Sequence, residues 1–441
     1  MSKTYRLFTL GCKLNQQESE TLASGLRALG FVPARKGEEA DVCLVNSCTV
    51  TSIADSKTRQ RIRQARKGNP EAFVCVVGCL AETSRGDLLA MPEVDACIGS
   101  LDKDRAPEIV LEALRANGSG AAGPAVSPDL SGRLLKNIIR MPAIVSKSAD
   151  SSRTRAFIKI EDGCDRFCAY CIVPYARGAV RSRPAGEVFA EAGELLRAGY
   201  KELVLTGVNL ALYGKDSIGC SAPGLAESLY SLAKQICGME APGEFRVRLG
   251  SLEPTVVGAE EAARIAGIKG VCPQFHLSLQ SGCEKTLMEM GRPYTPEAYA
   301  ETVRTLRAMD PLFSITTDVI VGFPGESEAD FNESLDFVKS TGFAHVHVFK
   351  YSKRPGTRAA EMAGHIREEV KNERSRLMIE AAEESAARFL AMNKGTTRRT
   401  LIFGPDKSGR YIRGITDNGI DLMLPKRDVG CIPNSFFNIE L

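Results

Sequence analysis

Short apolar runs alternate with longer amphipathic stretches along most of this chain. YRLFTL, DVCLVNS, FVCVVG and VDACIG in the N-terminal region are β-rich, and each is separated from the next by a polar segment with helical spacing. That alternation predicts a parallel α/β sheet of modest size. From Asn117 to Leu130 the sequence NGSGAAGPAVSPDL has neither period and reads as a linker. After Arg153 the alternation resumes with RAFIKI, KELVLTG, EFRVRLGS, QFHLSLQ, SITTDVIVGF and AHVHVFKY, six strands spaced as in a partial or complete β/α barrel. Glu368 to Asn393 is one long helical stretch with apolar positions at Val370, Leu377, Met378, Ala381, Phe389 and Leu390. TLIFG, RYIRGIT and DLMLP then describe a small all-β module. The expected division is an α/β domain over 1–116, a linker over 117–152, a barrel over 153–376, and a helix with a β-module over 377–441.

Composition leaves that picture in place and adds one anomaly. The 441 residues suit roughly three domains at about 150 residues each, and 44% hydrophobic with 25% charged residues is an ordinary globular balance. Lys and Arg outnumber Asp and Glu by only 57 to 54, so any surface for nucleic acid must be local. MSKTYRLFTLGC reads as a strand entering a turn, and no apolar run approaches the roughly 18 residues of a membrane span. These features lead to the expectation of a cytoplasmic protein that engages no membrane. The anomaly is fourteen cysteines. In a reducing compartment, clustered thiols serve as metal ligands or catalytic groups more often than as disulfides.

Cys164, Cys168 and Cys171 lie in one loop, GCDRFCAYC, immediately after RAFIKI. Three thiolates so spaced can hold three irons of a 4Fe-4S cluster and leave the fourth open. Structural zinc needs four protein ligands, and no nearby His or Cys completes such a set. The loop and its place in the chain resemble the radical S-adenosylmethionine (SAM) superfamily. That resemblance implies a cluster whose open iron chelates SAM, and a 5′-deoxyadenosyl radical formed when the reduced cluster cleaves the sulfonium.

Cys12, Cys48 and Cys79 follow the ends of YRLFTL, DVCLVNS and FVCVVG, so a parallel sheet delivers all three to one edge. Together they form a candidate second three-thiolate cluster site, whereas Cys43, Cys75 and Cys97 sit within strands and read as small buried apolar residues. The segments TLGCKLNQQESE, VNSCTVTSIADSKTR and VVGCLAE resemble the three cysteine segments of the methylthiotransferase family. In that family an N-terminal cluster domain precedes a radical SAM barrel and a C-terminal TRAM module. GCKLNQ, NSCTVT and KIEDGCDRFCAYCIVPYARGAVRSRP are most similar to the branch acting on threonylcarbamoyladenosine next to the anticodon of tRNA. The resemblance implies two 4Fe-4S clusters, SAM used both as radical source and as methyl donor, a tRNA substrate, a flavodoxin- or ferredoxin-like electron donor and a source of sulfur. No obligate protein partner is evident. The alternatives are a methylthiotransferase for isopentenyladenosine or for a ribosomal protein and, in a different class, a non-enzymatic zinc RNA-binding protein.

Gly207 and Asn209 in TGVNL stand where the superfamily contacts the SAM amino group; a tight strand-to-helix turn explains Gly207 equally well. Arg248 and Glu253 in RLGSLEP and Gln280 in HLSLQSG lie at or near strand ends, suited to SAM or to an internal ion-pair network. The resemblance implies that Phe323 to Glu326 is an adenine-facing turn of the barrel; taken alone, the segment is only a turn. His345 and His347 share a strand face, a pairing that suits two metal ligands but more often fills a barrel interior.

For RNA, Lys57 to Lys67 carries six cations and no acid, with Arg59, Arg63 and Arg66 on one helical face. Arg177, Arg181 and Arg183 form a second candidate patch. Arg398, Arg399, Arg410, Arg413, Lys426 and Arg427 form a third, on the β-module.

Overall fold

The computed structural model describes residues 3–35, 37–118, 125–126, 154–216, 229–254, 257–426 and 432–441. Most of the expected linker, together with Arg427, Cys220 and Cys431, lies outside the described residues. Contacts divide the chain into two units. The first holds the described residues of Met1–Lys147 with Asp162–Arg166 and Cys171–Arg181; the second holds those of Ser148–Glu161, Phe167–Tyr170 and Ser182–Leu441.

In the first unit, β1 (Thr4–Thr9), β2 (Val32–Pro33), β3 (Val42–Ser47), β4 (Phe73–Gly78), β5 (Ala96–Ile98) and β6 (Ala125–Val126) form a parallel sheet in the order β2-β1-β3-β4-β5-β6. All four strands expected from the apolar runs are present. β2 and β6, of two residues each, are too short to leave a periodic signal, and β6 places a strand inside the stretch expected to be linker. α1 (Lys13–Ala28), α2 (Ser52–Gly68) and α3 (Cys79–Thr83) leave the C-terminal ends of β1, β3 and β4. The sheet is covered on both faces, one by Leu22, Leu26 and Val110, the other by Ile62, Ala65 and Leu88. β3 and β4, the inner strands, are therefore buried at every position. Cys43, Cys75 and Cys97 are buried as expected, and burial raises all three thiols, Cys97 to about 12.

In the second unit, parallel strands follow one another at Arg155–Lys159, Glu202–Thr206, Arg246–Leu249 continuing as Ser251–Leu252, Gln274–Leu277, Ser314–Val321 and His345–Lys350. The six expected strands are found, and the first and last have no strand on their outer side among the described residues, so the barrel is partial. Leu203, Leu205, Val247, Leu249, Phe275, Leu277, Ile315 and Val319 pack under the helices. The alternate positions, Arg246, Arg248, Gln274, His276, Thr316 and Asp318, line the opposite, polar face.

The long helix covers Glu368–Asn393 without a break, and its Met378, Ala381 and Ala382 belong to the barrel core. The boundary expected at Arg376 thus cuts through a helix that packs as part of the barrel, which extends to Asn393. Leu390, expected on the apolar face, is exposed, while Arg374 is buried against Glu326. Thr397–Pro405, Tyr411–Thr416, Asp421–Pro425 and Ser435–Glu440 form an antiparallel sheet, the last strand being one the apolar pattern did not reveal. None of the described helices is long and apolar enough to cross a membrane.

Candidate cluster and cofactor sites

Each of the three N-terminal cysteines stands where a strand gives way to a helix. Cys12 is the N-cap of α1, Cys48 directly follows β3, and Cys79 opens α3. Neighbouring polar side chains lace their loops together. Asn15 Nδ2 donates to Leu10 O at 2.7 Å and to Ser47 O at 2.9 Å, joining the first loop to the second. Ser47 Oγ donates to Val77 O at 2.7 Å and accepts from Leu80 N at 3.1 Å, joining the second to the third. The packing at Gly11 is close enough to exclude any side chain: φ is +96°, and a Cβ there would stand 2.7 Å from Cys48 Cβ and 2.9 Å from its Sγ. Cys12 and Cys79 act electrostatically on Cys48, whose thiol burial raises to about 11. Three soft donors on converging loops, Cys48 and Cys79 buried and Cys12 exposed, fit an iron–sulfur cluster, because the ligands lose their protons to the metal.

Beside these thiols lies a buried ion network. Arg177 Nη1 stands 2.9 Å from both Glu18 Oε1 and Asp162 Oδ1, and its Nη2 donates to Asn15 Oδ1 at 2.9 Å. Lys103 Nζ reaches Glu18 Oε2 at 2.6 Å. Burial works against the charge on Arg177, and Cys79, Glu18 and Asp162 more than offset it, so the guanidinium stays protonated. Sequence reading missed Asn15, Glu18, Ser47 and Lys103; the polar residues of GCKLNQ and NSC carried the only signal.

The structure therefore corrects the expected RNA patches. Arg177 is 3% exposed and cannot be a surface contact. Arg66 is held by Asp95 at 2.6 Å and by the carbonyls of Pro70 and Ala72, because it lies at the edge of the face on which α2 packs. Arg398 pairs with Asp310 at 3.1 Å, Arg181 with Asp162 at 3.3 Å, Arg183 with Glu191, Arg59 with Asp87 at 3.8 Å, and Arg399 with Glu244. Of the arginines named for RNA, Arg63, Arg410 and Arg413 are exposed without an ion pair among the described residues. Replacing Arg177 by methionine keeps most of the side-chain volume but leaves Glu18 and Asp162 buried without their shared cation. The expected cost is about 3–5 kcal/mol, read as lowered urea stability with iron lost from the N-terminal unit. Affinity for tRNA at low salt should change little in the same variant, whereas a surface contact would show the reverse.

In the loop of Cys164, Cys168 and Cys171, Gly163 has φ +82° and space for no Cβ, since Ala179 O would lie 2.0 Å away, and Cys164 N donates to Gly178 O at 3.0 Å. Phe167, one residue before Cys168, is left-handed at φ 45°, a turn that a side chain adopts only under constraint. Ala169 N donates to Met290 O at 2.8 Å, and Ala169 O accepts from Ala359 N.

At the strand ends of the second unit, Asn209 N donates to Glu161 Oε2 at 2.8 Å, and Asn209 Nδ2 donates to Glu253 Oε2 at 3.2 Å. Glu253 Oε1 pairs with Arg292 at 3.1 Å, and Arg292 donates to the Tyr170 hydroxyl at 3.0 Å, beside Cys168. Gly207 leaves room for Glu161, whose Oε2 would lie 2.5 Å from a Cβ there. Gln280 is buried and left-handed at φ 68°, bridging to Asp318 O and Ile320 N through its backbone. Gly207, Asn209 and Glu253 thus come together with Glu161, Tyr170 and Arg292, none of which had been singled out. Arg248 does not join them. Its guanidinium binds Glu202 at 3.0 Å, Gln274 at 3.0 Å and Thr416 O at 3.1 Å. Arg246 also grips Glu202, at 2.6 Å, and the carbonyls of Arg399 and Ile415. Burial pushes the Glu202 carboxyl up, but Arg248, Arg246 and Arg155 outweigh it and hold the group well below the usual range. Arg248 accordingly serves to anchor the C-terminal sheet on the barrel, which is the ion-pair alternative considered for it.

Residues 4–99 match the uncharacterized protein family UPF0004, and residues 158–338 match the radical SAM superfamily. The chain is 34% identical over 420 residues, 94% of its length and 89% of the relative's, to the threonylcarbamoyladenosine tRNA methylthiotransferase MtaB of Bacillus subtilis. It is 32% identical, over 93% of its length and 89% of the relative's, to the tRNA-2-methylthio-N(6)-dimethylallyladenosine synthase of Pelotomaculum thermopropionicum. Its fold is similar to that of the radical SAM methyltransferase TsrM from Kitasatospora setae, with TM-score 0.54, 14% identity, and 81% and 77% of the two chains covered. With this agreement across both units, the chain belongs to the radical SAM methylthiotransferase family.

Proposed function

We propose that this enzyme converts N6-threonylcarbamoyladenosine beside the anticodon of tRNA to its 2-methylthio derivative. The observation that carries the reading is the pairing, in one chain, of the GCDRFCAYC loop with three N-terminal thiols on interlaced strand ends, in a sequence related over 94% of its length to an MtaB protein. A cluster on Cys164, Cys168 and Cys171 would supply the electron that cleaves SAM, and the resulting radical would take the hydrogen from C2 of the adenine. Cys12, Cys48 and Cys79 would hold a second cluster that presents sulfur to that carbon, and a second SAM would supply the methyl group. Gly207, Asn209 and Gln280 surround the proposed SAM position, with Glu253 and Arg292 orienting Asn209. An electron donor of flavodoxin or ferredoxin type and a source of sulfur complete the reaction, which takes place in the cytoplasm.

For RNA, the exposed cations of α2 are Lys57, Arg61, Arg63 and Lys67. On the C-terminal sheet, Tyr411 and Arg413 are exposed on one strand, with Arg410 just before it and Lys426, whose N donates to Arg410 O, at the neighbouring strand's end. A phosphate-contacting surface of this kind loses affinity steeply as salt rises.

The relatives acting on dimethylallyladenosine support a second reading, differing in the base modified. Nucleoside analysis of tRNA from cells lacking the protein separates the two. Loss of 2-methylthio-N6-threonylcarbamoyladenosine supports the first, loss of the dimethylallyl product the second, and loss of neither overturns both. Anaerobic reconstitution should give roughly eight irons per chain, against almost none for a zinc protein.

A further inference from the structure

The chain has four histidines, and three of them meet on the polar face of the central sheet. Strand register brings them there. His276 lies opposite Thr316, Thr316 opposite His345, and Asp318 opposite His347, so alternate residues of three adjacent strands share one face. His276 Nε2 is 3.3 Å from Asp318 Oδ2. One ring nitrogen from each of His276 and His347 and one carboxylate oxygen of Asp318 lie within 4.8 Å of one another.

We infer that His276, Asp318 and His347 form a site for one divalent transition-metal ion of the zinc type. Metal–nitrogen and metal–oxygen bonds of about 2.0–2.2 Å place tetrahedral ligands roughly 3.3 Å apart, the separation already present between His276 and Asp318. The remaining contraction needs only side-chain adjustment at His347, which is exposed. Both imidazoles are oriented from behind. His276 Nδ1 hydrogen-bonds Thr316 Oγ1 at 3.0 Å, and His347 Nδ1 lies 3.1 Å from His345 Nε2. Metal-ligating histidines are held in this way by a partner on the second nitrogen. Asp318 pairs with His276 and with no Lys or Arg among the described residues, so its charge is left for a cation. Two nitrogens and one oxygen suit zinc-type ions and leave a coordination position for an oxygen ligand. These residues are distinct from the six cysteines, and the site does not depend on the substrate proposed above.

The test uses the full-length protein with both cysteine sets loaded with iron and sulfide. It is incubated with zinc chloride and desalted, then its zinc is counted by elemental mass spectrometry and examined by X-ray absorption. The expected result is one zinc per chain with nitrogen and oxygen neighbours and no sulfur. His276→Ala and His347→Gln should each lower retained zinc by about tenfold or more. His365→Ala, whose ring stacks on Tyr351 elsewhere, should keep it. Because His347 is exposed, its variant reports on the site even where His276→Ala disturbs folding. No zinc uptake, sulfur in the zinc shell, or unchanged zinc in His347→Gln would overturn the assignment.

Discussion

Changing Cys164 to alanine should abolish reductive cleavage of SAM and lower iron from the roughly eight atoms expected per chain to about four. Three thiolates from one short loop are the minimum that can leave a single iron open for SAM, and the loop has no spare cysteine. The backbone of the loop should survive the change, because Gly163, the hydrogen bond from Cys164 N and the Ala169 bridges do not involve the lost sulfur. The readout is 5′-deoxyadenosine formed under a strong chemical reductant, beside circular dichroism to confirm the fold. Cleavage at the parental rate would mean that the open iron resides elsewhere.

The elements with long, regular apolar runs could be read from the sequence because burial on one or both faces of a parallel sheet imposes a simple pattern. β3 and β4 are buried throughout and mostly apolar since helices cover both faces, and the six central strands alternate since one face is a polar interior. The two-residue strands could not be read, as pairing at a sheet edge demands little of the side chains. Cysteine placement was legible for a similar reason: a loop at a strand's C-terminal end has its position dictated by topology. Side-chain partners were not. Arg66, Arg177 and Arg398 look like free cations in one dimension, and only the fold reveals the carboxylates of Asp95, Glu18 and Asp310 beside them. Arg248 failed as a SAM ligand for the same reason, since Glu202 lies 46 residues away in sequence and the carbonyl of Thr416 lies 168 away.

Cys48→Ala should leave SAM cleavage intact and bring the methylthio product below detection. Cys48 is buried between the other two N-terminal cysteine loops, and its Cβ, which alanine retains, is the atom nearest Gly11. Asn15 and Ser47 tie those loops through backbone carbonyls and amides, so the lacing survives without the sulfur. What disappears is one of three ligands. Iron should again fall by about four atoms per chain, now from the N-terminal set, while 5′-deoxyadenosine still forms from the intact GCDRFCAYC loop. Opposite outcomes for Cys164→Ala and Cys48→Ala in the cleavage assay, with both failing to make product, would assign radical formation to one cysteine set and sulfur delivery to the other. Equal loss of cleavage in both variants would show that the two sets do not act separately. Arg177→Met provides a graded intermediate: it retains all six thiols and disturbs only the buried charges beside Cys48 and Cys79. Its product should fall in step with the iron lost from the N-terminal unit, with SAM cleavage unchanged.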